Sequence, residues 1–160
     1  MKVVSGPLPK PSGLAGIPAS YGRAFSFKRE RGKSLGEVRV MGSIACEMVL
    51  VASGVFQYSL FTGSHIWDVA AGVVLVREAG GEVLELRRGH WRPFQDFMVT
   101  PQKADEGRSQ AFRRWGVPLL VGDSEIVTYL ASRTRVRRKP LGSIARRIKA
   151  IWAREKRGQS

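Results

Sequence analysis

The chain has 160 residues, enough for one domain, and 43% of them are hydrophobic, which suffices for a core. Its formal net charge is +14, which favours anionic partners, and no apolar run reaches the ~18 residues of a membrane span. The single cysteine, Cys46, excludes an internal disulfide and fits a reducing, cytoplasmic setting, and the first residues do not read as a secretory signal.

Residues 5–20 carry Pro7, Pro9, Pro11 and Pro18 among glycines and read as a loop or extended arm. Residues 1–35 are therefore expected to pack poorly. Ala24 to Arg29 and Gly36 to Met41 are short strand candidates. Ser43 to Ser53 reads as a helix with Ser43 as N-cap and Gly54 as stop. Its apolar set is broad, so burial on most sides is expected, with Cys46 as a small core residue. Val55 to Leu60 reads as a strand and Phe61 to Ile66 as the loop after it.

Trp67-Asp68-Val69-Ala70-Ala71-Gly72, closed by Glu78-Ala79-Gly80-Gly81, is the most informative stretch. Asp68 falls at the N-cap or first turn of a small-residue helix, where its charge meets free N–H groups and the positive end of the dipole. Ala70, Ala71 and Gly72 let another element approach closely, and Gly80 and Gly81 suit the positive φ that ends a helix. Two readings stand: an ordinary helix cap, or a carboxylate fixed for a metal or phosphate site. A strand follows at Glu82 to Leu86.

Arg87 to Gly116 holds Trp91, Phe94, Phe97, Phe112 and Trp115 among charges, either a satellite core or a stacking surface. His65 and His90 are not spaced as a metal pair with Cys46; His65 either lines a pocket beside Asp68 or is a plain loop residue. Val117 to Val121 reads as a buried strand and Ser124 to Ser132 as a helix.

From Arg133 to Ser160 there are eleven basic residues and one acid, +10 of the total charge. Residues 133–160 read as a basic tail after a body of 1–132. A helix capped by Ser143 would place Ile144, Ile148, Ile151 and Trp152 on one stripe. Arg137, Arg138, Lys139, Arg146 and Arg147 are the candidate polyanion contacts, for an anionic membrane surface or non-specific nucleic acid. The bland alternative is a solvated or docked terminal helix.

Two ordered motifs carry a family resemblance. The Trp-Asp-x-Ala-Ala-Gly…Glu-Ala-Gly-Gly stretch resembles the C-terminal signature of the inositol monophosphatase family. Upstream, Arg39-Val40-Met41-Gly42-Ser43-Ile44-Ala45 is similar to that family's Arg-x-x-Gly-Ser/Thr-Ala segment. The resemblance covers Val38 to Leu86. It implies an α/β (α+β layered sandwich) fold, here the C-terminal half with a mixed sheet flanked by helices, and 87–116 as an insertion. It implies that Asp68 binds catalytic magnesium (Mg2+) and that Gly42, Ser43 and Ile44 contact an inositol or sugar phosphate. The family's N-terminal acids, including its Asp-Pro-x-Asp-Gly-Thr motif, have no counterpart; there is no Asp-Pro pair and Glu30 is the first acid. Phe61 stands where family members often place a hydroxyl-binding glutamate, which implies a preference away from myo-inositol phosphate. Two function classes follow. One is a magnesium-dependent phosphomonoesterase that needs an N-terminal half chain or homo-oligomer, joined at an exposed sheet edge. The other is a non-catalytic half-domain that binds anionic surfaces through its tail.

Overall fold

The computed structural model describes residues 11–27, 35–97 and 107–137. In chain order the elements are β1 (Leu14–Gly16), α1 (Tyr21–Ala24), β2 (Phe25–Phe27), β3 (Glu37–Arg39), α2 (Ile44–Ala52), β4 (Tyr58–Phe61) and α3 (Ile66–Glu78). They continue with β5 (Glu82–Arg87), β6 (His90–Pro93), α4 (Arg108–Arg114), β7 (Leu119–Gly122), α5 (Ser124–Arg133) and β8 (Thr134–Val136).

Six strands form one mixed sheet in the order β3-β1-β4-β7-β5-β6, with β1 parallel to both β3 and β4 and the remaining neighbours antiparallel. Strand alternation divides the core between the two faces. Phe61, Leu119, Val121 and Val83 meet Met48 and Val51 of α2 and Val69, Val73 and Val76 of α3. Tyr58, Leu60, Leu120 and Leu84 meet Ile126, Val127, Tyr129 and Leu130 of α5 and Phe25 of β2. The architecture is thus a helix-flanked α/β sheet, as the motifs imply.

Several helix signals act as the sequence predicts. Ser43 caps α2, its Oγ accepting the Cys46 N–H at 3.4 Å, and Gly54 follows at φ +75. Gly80 ends α3 at φ +84. Asp123, which the sequence reading did not single out, caps α5 by accepting the N–H groups of Glu125 and Ile126 at 3.0 and 3.1 Å. In the middle of α3, Gly72 lies so close to α2 that a Cβ there would come within 2.4 Å of Met48 Sδ.

Other expectations are corrected. The proline-rich arm contains β1, inserted between β3 and β4 with Ala15 fully buried. The prolines mark its ends, and Gln57 ties it down by accepting the Ser12 and Gly13 N–H groups at 3.0 and 2.7 Å. Helix α2 is buried along one side only, through Glu47, Met48 and Val51, and Cys46 lies exposed on the other. Residues 87–93 belong to the sheet through β5 and β6. Phe94, Phe97 and Trp115 pack edge to face at 4.9 to 6.2 Å and join the α2–α3 core, so they are no separate satellite, while Trp91 serves the opposite face and Phe112 is exposed. The basic segment begins inside the fold, because β8 pairs antiparallel with β2.

Candidate active site

Helices α2 and α3 run side by side in the same direction. Met48 and Gly72 touch midway, and the ends of both helices, at Val51 to Gly54 and Val76 to Gly80, line one cavity of about 470 Å³. Their N-termini, at Ser43 and His65, therefore share the opposite end. That end is also reached by the carboxyl ends of β3 and β4, which feed α2 and α3 respectively. Crevices at the carboxyl ends of parallel strands are where open α/β sheets bind ligands. Two helix N-termini there present free N–H groups and positive dipole ends, an arrangement suited to an anion such as phosphate.

Asp68 occupies the first turn of α3, at the third helical position, with His65 as the N-cap residue. Its Oδ2 accepts the His65 N–H at 3.4 Å, reaching back over the helix start. The helix thus begins three residues earlier than a cap at Asp68 would place it. Ser64 anchors the approach by donating its buried hydroxyl to the Val117 carbonyl at 3.1 Å. The His65 and Trp67 rings stack at 4.6 Å with 13° between planes, so this histidine is engaged by a neighbour on the surface.

Gly42 precedes α2 at φ +76, with no neighbour crowding the place of a Cβ, so backbone conformation is what demands glycine there. Ser43 spends its hydroxyl on the cap, and half-buried Ile44 packs against the α2–α3 core. Sequence reasoning missed Glu47, which is 6% exposed. Its Oε1 accepts the Met41 N–H at 3.3 Å, holding the turn that carries Gly42. Burial pushes the Glu47 carboxyl above its usual range, and hydrogen bonds from the Met41 and Gly42 backbone oppose that rise. The available signal was a lone acid within an otherwise apolar helix, Ile44-Ala45-Cys46-Glu47-Met48-Val49. Gly16 lies against the same carboxylate: a Cβ there would sit 2.5 Å from Glu47 Oε2 and 2.3 Å from Ser59 Oγ.

The described residues do not by themselves fit a magnesium centre. Magnesium takes octahedral oxygen ligands, often one or two carboxylates with phosphate and water. Among the described residues no group of three or more His, Cys, Asp and Glu side chains is placed to hold a metal. Asp68 contributes one carboxylate at most. Phe61 is buried in the sheet core at the end of β4 and offers no acceptor. Of the predicted polyanion contacts, Arg137 is exposed just after β8, where its N–H donates to the Ala24 carbonyl at 2.9 Å. Arg138, Lys139, Arg146 and Arg147, with the Ile144 to Trp152 stripe, lie outside the described residues. Among the described residues, no helix is long and apolar enough to cross a membrane.

Comparison with known proteins bears on the fold and the family. The crystal structure of 2'AMP-bound SaIMPase-II superposes with a TM-score of 0.50 at 19% identity, over 80% of this chain and 45% of that one, which shows the fold. Probable inositol 1-monophosphatase ImpA of Mycobacterium tuberculosis is 41% identical over 77 residues, 48% of this chain and 28% of ImpA. Inositol monophosphatase 1 of Xenopus laevis is 42% identical over 89 residues, 45% of this chain and 31% of the relative. Nus factor SuhB of Pasteurella multocida is 43% identical over 66 residues, 41% of this chain and 25% of that protein. The chain thus spans about a third or less of these curated relatives and under half of the solved one. The family model described as the Inositol monophosphatase family matches residues 8–114, and the chain belongs to that family.

Proposed function

We propose that this chain is the C-terminal half of a magnesium-dependent phosphomonoesterase acting on an inositol or sugar phosphate in the cytoplasm. The observation that carries the reading is the shared end of α2 and α3, where Asp68 and the Gly42-Ser43-Ile44 turn stand on two helix N-termini. A bound phosphate would meet free N–H groups and positive dipole ends there. Asp68 would supply one carboxylate to a metal, whose role in such sites is to polarise the phosphate and lower the pKa of attacking water. Glu47 would set the turn that forms the pocket wall. The remaining carboxylates would come from outside the described residues, so activity requires the rest of a family-sized body.

The test measures phosphate release from inositol, fructose and aryl phosphates with magnesium present. The expected outcome is negligible turnover for the chain alone. Turnover should appear when an N-terminal family half is fused or co-expressed, and Asp68→Asn should abolish it. The loss should be about a hundredfold or more, as for removal of other charge-stabilising groups. Phe61 lacks an acceptor, so other sugar phosphates should be preferred to myo-inositol phosphate. Robust turnover by the chain alone would show that it holds further ligands.

A second reading is a non-catalytic module bound to anionic surfaces through the basic C-terminal segment. Its support is the +10 charge of residues 133–160 and, among the described residues, the lack of any group of three or more side chains placed to hold a metal. Salt-sensitive attachment to anionic vesicles or nucleic acid, with no turnover in any complex, would favour it.

A further inference from the structure

Glu85 is a buried acid that the site above does not use. Strand alternation puts Leu84 and Leu86 in the core under α5, so Glu85 and Arg87 lie with Val83 on the α2–α3 side of the sheet. Across the strand pair, Arg92 stands opposite Glu85 and His90 opposite Arg87. The Glu85 side chain is 4% exposed, and each of its oxygens takes one arginine. Arg87 Nε donates to Oε2 at 3.0 Å and Arg92 Nε to Oε1 at 2.8 Å. A buried carboxylate needs such partners, but one cation would balance its charge. Two arginines, with Arg88 beside them, leave the cluster positive. The Arg87 and Arg92 side chains are 38% and 59% exposed, and among the described residues nothing takes the Nη groups of either.

Arg88 adds an independent sign. It sits at φ +51, the one non-glycine at positive φ among the described residues, and Gly89 follows at +84. A two-residue hairpin turn of this kind favours Asn-Gly. Arginine held there against that preference sets a third guanidinium, exposed, at the hairpin tip, and such backbone strain collects at binding sites. The hairpin also reaches the crevice end of the sheet. Strands β4 and β5 are both antiparallel to β7 between them, so their carboxyl ends lie together, roughly 10 Å apart at two strand spacings. Leu86 donates its N–H to the Pro118 carbonyl at 2.9 Å, and Ser64, just before α3, donates to the adjacent Val117 carbonyl.

We propose that Arg87 and Arg92, held by Glu85 and joined by Arg88, form a second phosphoryl-binding site, separate from the N-termini of α2 and α3. The planar guanidinium fork matches phosphate bidentately, and a fork pinned at Nε holds its Nη edge ready for that geometry. The ligand is a phosphate dianion, free or carried on a small organic molecule. The claim concerns binding by this chain alone, so it stands or falls apart from the phosphatase reading.

Inorganic phosphate and fructose 1,6-bisphosphate are titrated into the isotope-labelled full chain. Calorimetry reads affinity, and the Nε–H resonances of Arg87 and Arg92 locate the ligand away from the basic C-terminal segment. Both resonances should shift saturably. Arg87→Lys with Arg92→Lys keeps the charges but loses the forks and should weaken binding roughly tenfold. Glu85→Gln separates a held site from mere charge. Removing an acid would tighten simple anion attraction, whereas loosening both forks should weaken binding by roughly fivefold or more. Arg135→Gln, on β8 across the sheet, should change nothing, and thermal melts check that each variant is folded. If Glu85→Gln does not fold, the lysine pair decides. Bisphosphate binding tenfold tighter than phosphate, with the Asp68 amide also shifting, would support a ligand that reaches α3. Equal affinities would support a free-anion site. Resonances that stay still, a lysine pair that binds as well as the native chain, or tighter binding by Glu85→Gln would each overturn the proposal.

Discussion

The two faces of the sheet are finished differently. On one, α5 buries Ile126, Val127, Tyr129 and Leu130 and shows solvent Ser124, Glu125, Thr128 and Ser132. On the other, α2 and α3 bury a comparable set but show Val49, Trp67, Val74 and Leu75, with Arg77 and Glu78 as the charged residues at the C-terminal end of α3. The first pattern closes a body, since a polar outer stripe meets water without cost. The second leaves apolar area that a further layer would remove from water, at roughly 25 cal/mol per Å². A helix's outer face thus tells whether it ends a domain or lies within one.

The sharpest way to break this comparison is through the inner face of α5. Leu130→Ala removes a fully enclosed side chain and should cost about 2–5 kcal/mol, read by urea denaturation. A much smaller loss would mean that α5 is not the closed side.

A smaller effect tests the polar contact beneath α2. Burial holds the folded-state Glu47 carboxyl above the usual carboxylate range, so it keeps a proton that the unfolded chain gives up. Glu47 therefore contributes least destabilisation below that usual range, and stability falls as pH rises from it through the raised folded value. Glu47→Gln should flatten this decline in thermal melts taken across the acidic range. A decline of unchanged slope in the variant would assign it elsewhere, with half-buried Glu82 on β5, also raised by burial, as the next group to replace.

The smallest effect is expected outside. Val74→Ser on the outer face of α3 should change the stability of the chain alone by no more than ~0.5 kcal/mol, as for surface sites generally. A loss approaching that of Leu130→Ala would show the face already covered.

The same contrast explains what could be read from the residues alone. Caps and stops are local: Ser43, Gly54, Gly80 and the first-turn Asp68 announce themselves within a few positions, and α2, α3 and α5 fall where those signals put them. Strands β1 and β8 are three residues long and owe their existence to partners far along the chain, at Glu37–Arg39 and Tyr58–Ser59 for one and Phe25–Phe27 for the other. No periodicity can develop over three residues, so they read as arm and tail. At the site, the motifs singled out Asp68 and Gly42 to Ile44, and the fold brings them to one end. Glu47 escaped because its role depends on burial beneath a turn. The exposure of Cys46 escaped because composition cannot say how many layers flank a helix.

The pairing of β8 with β2 also settles where the chain leaves the described body. Phe25 packs in the core under α5, and Arg137 follows β8 with its N–H on the Ala24 carbonyl. The exit therefore lies on the finished side of the sheet, with the full thickness of the sheet between it and the α2–α3 layer.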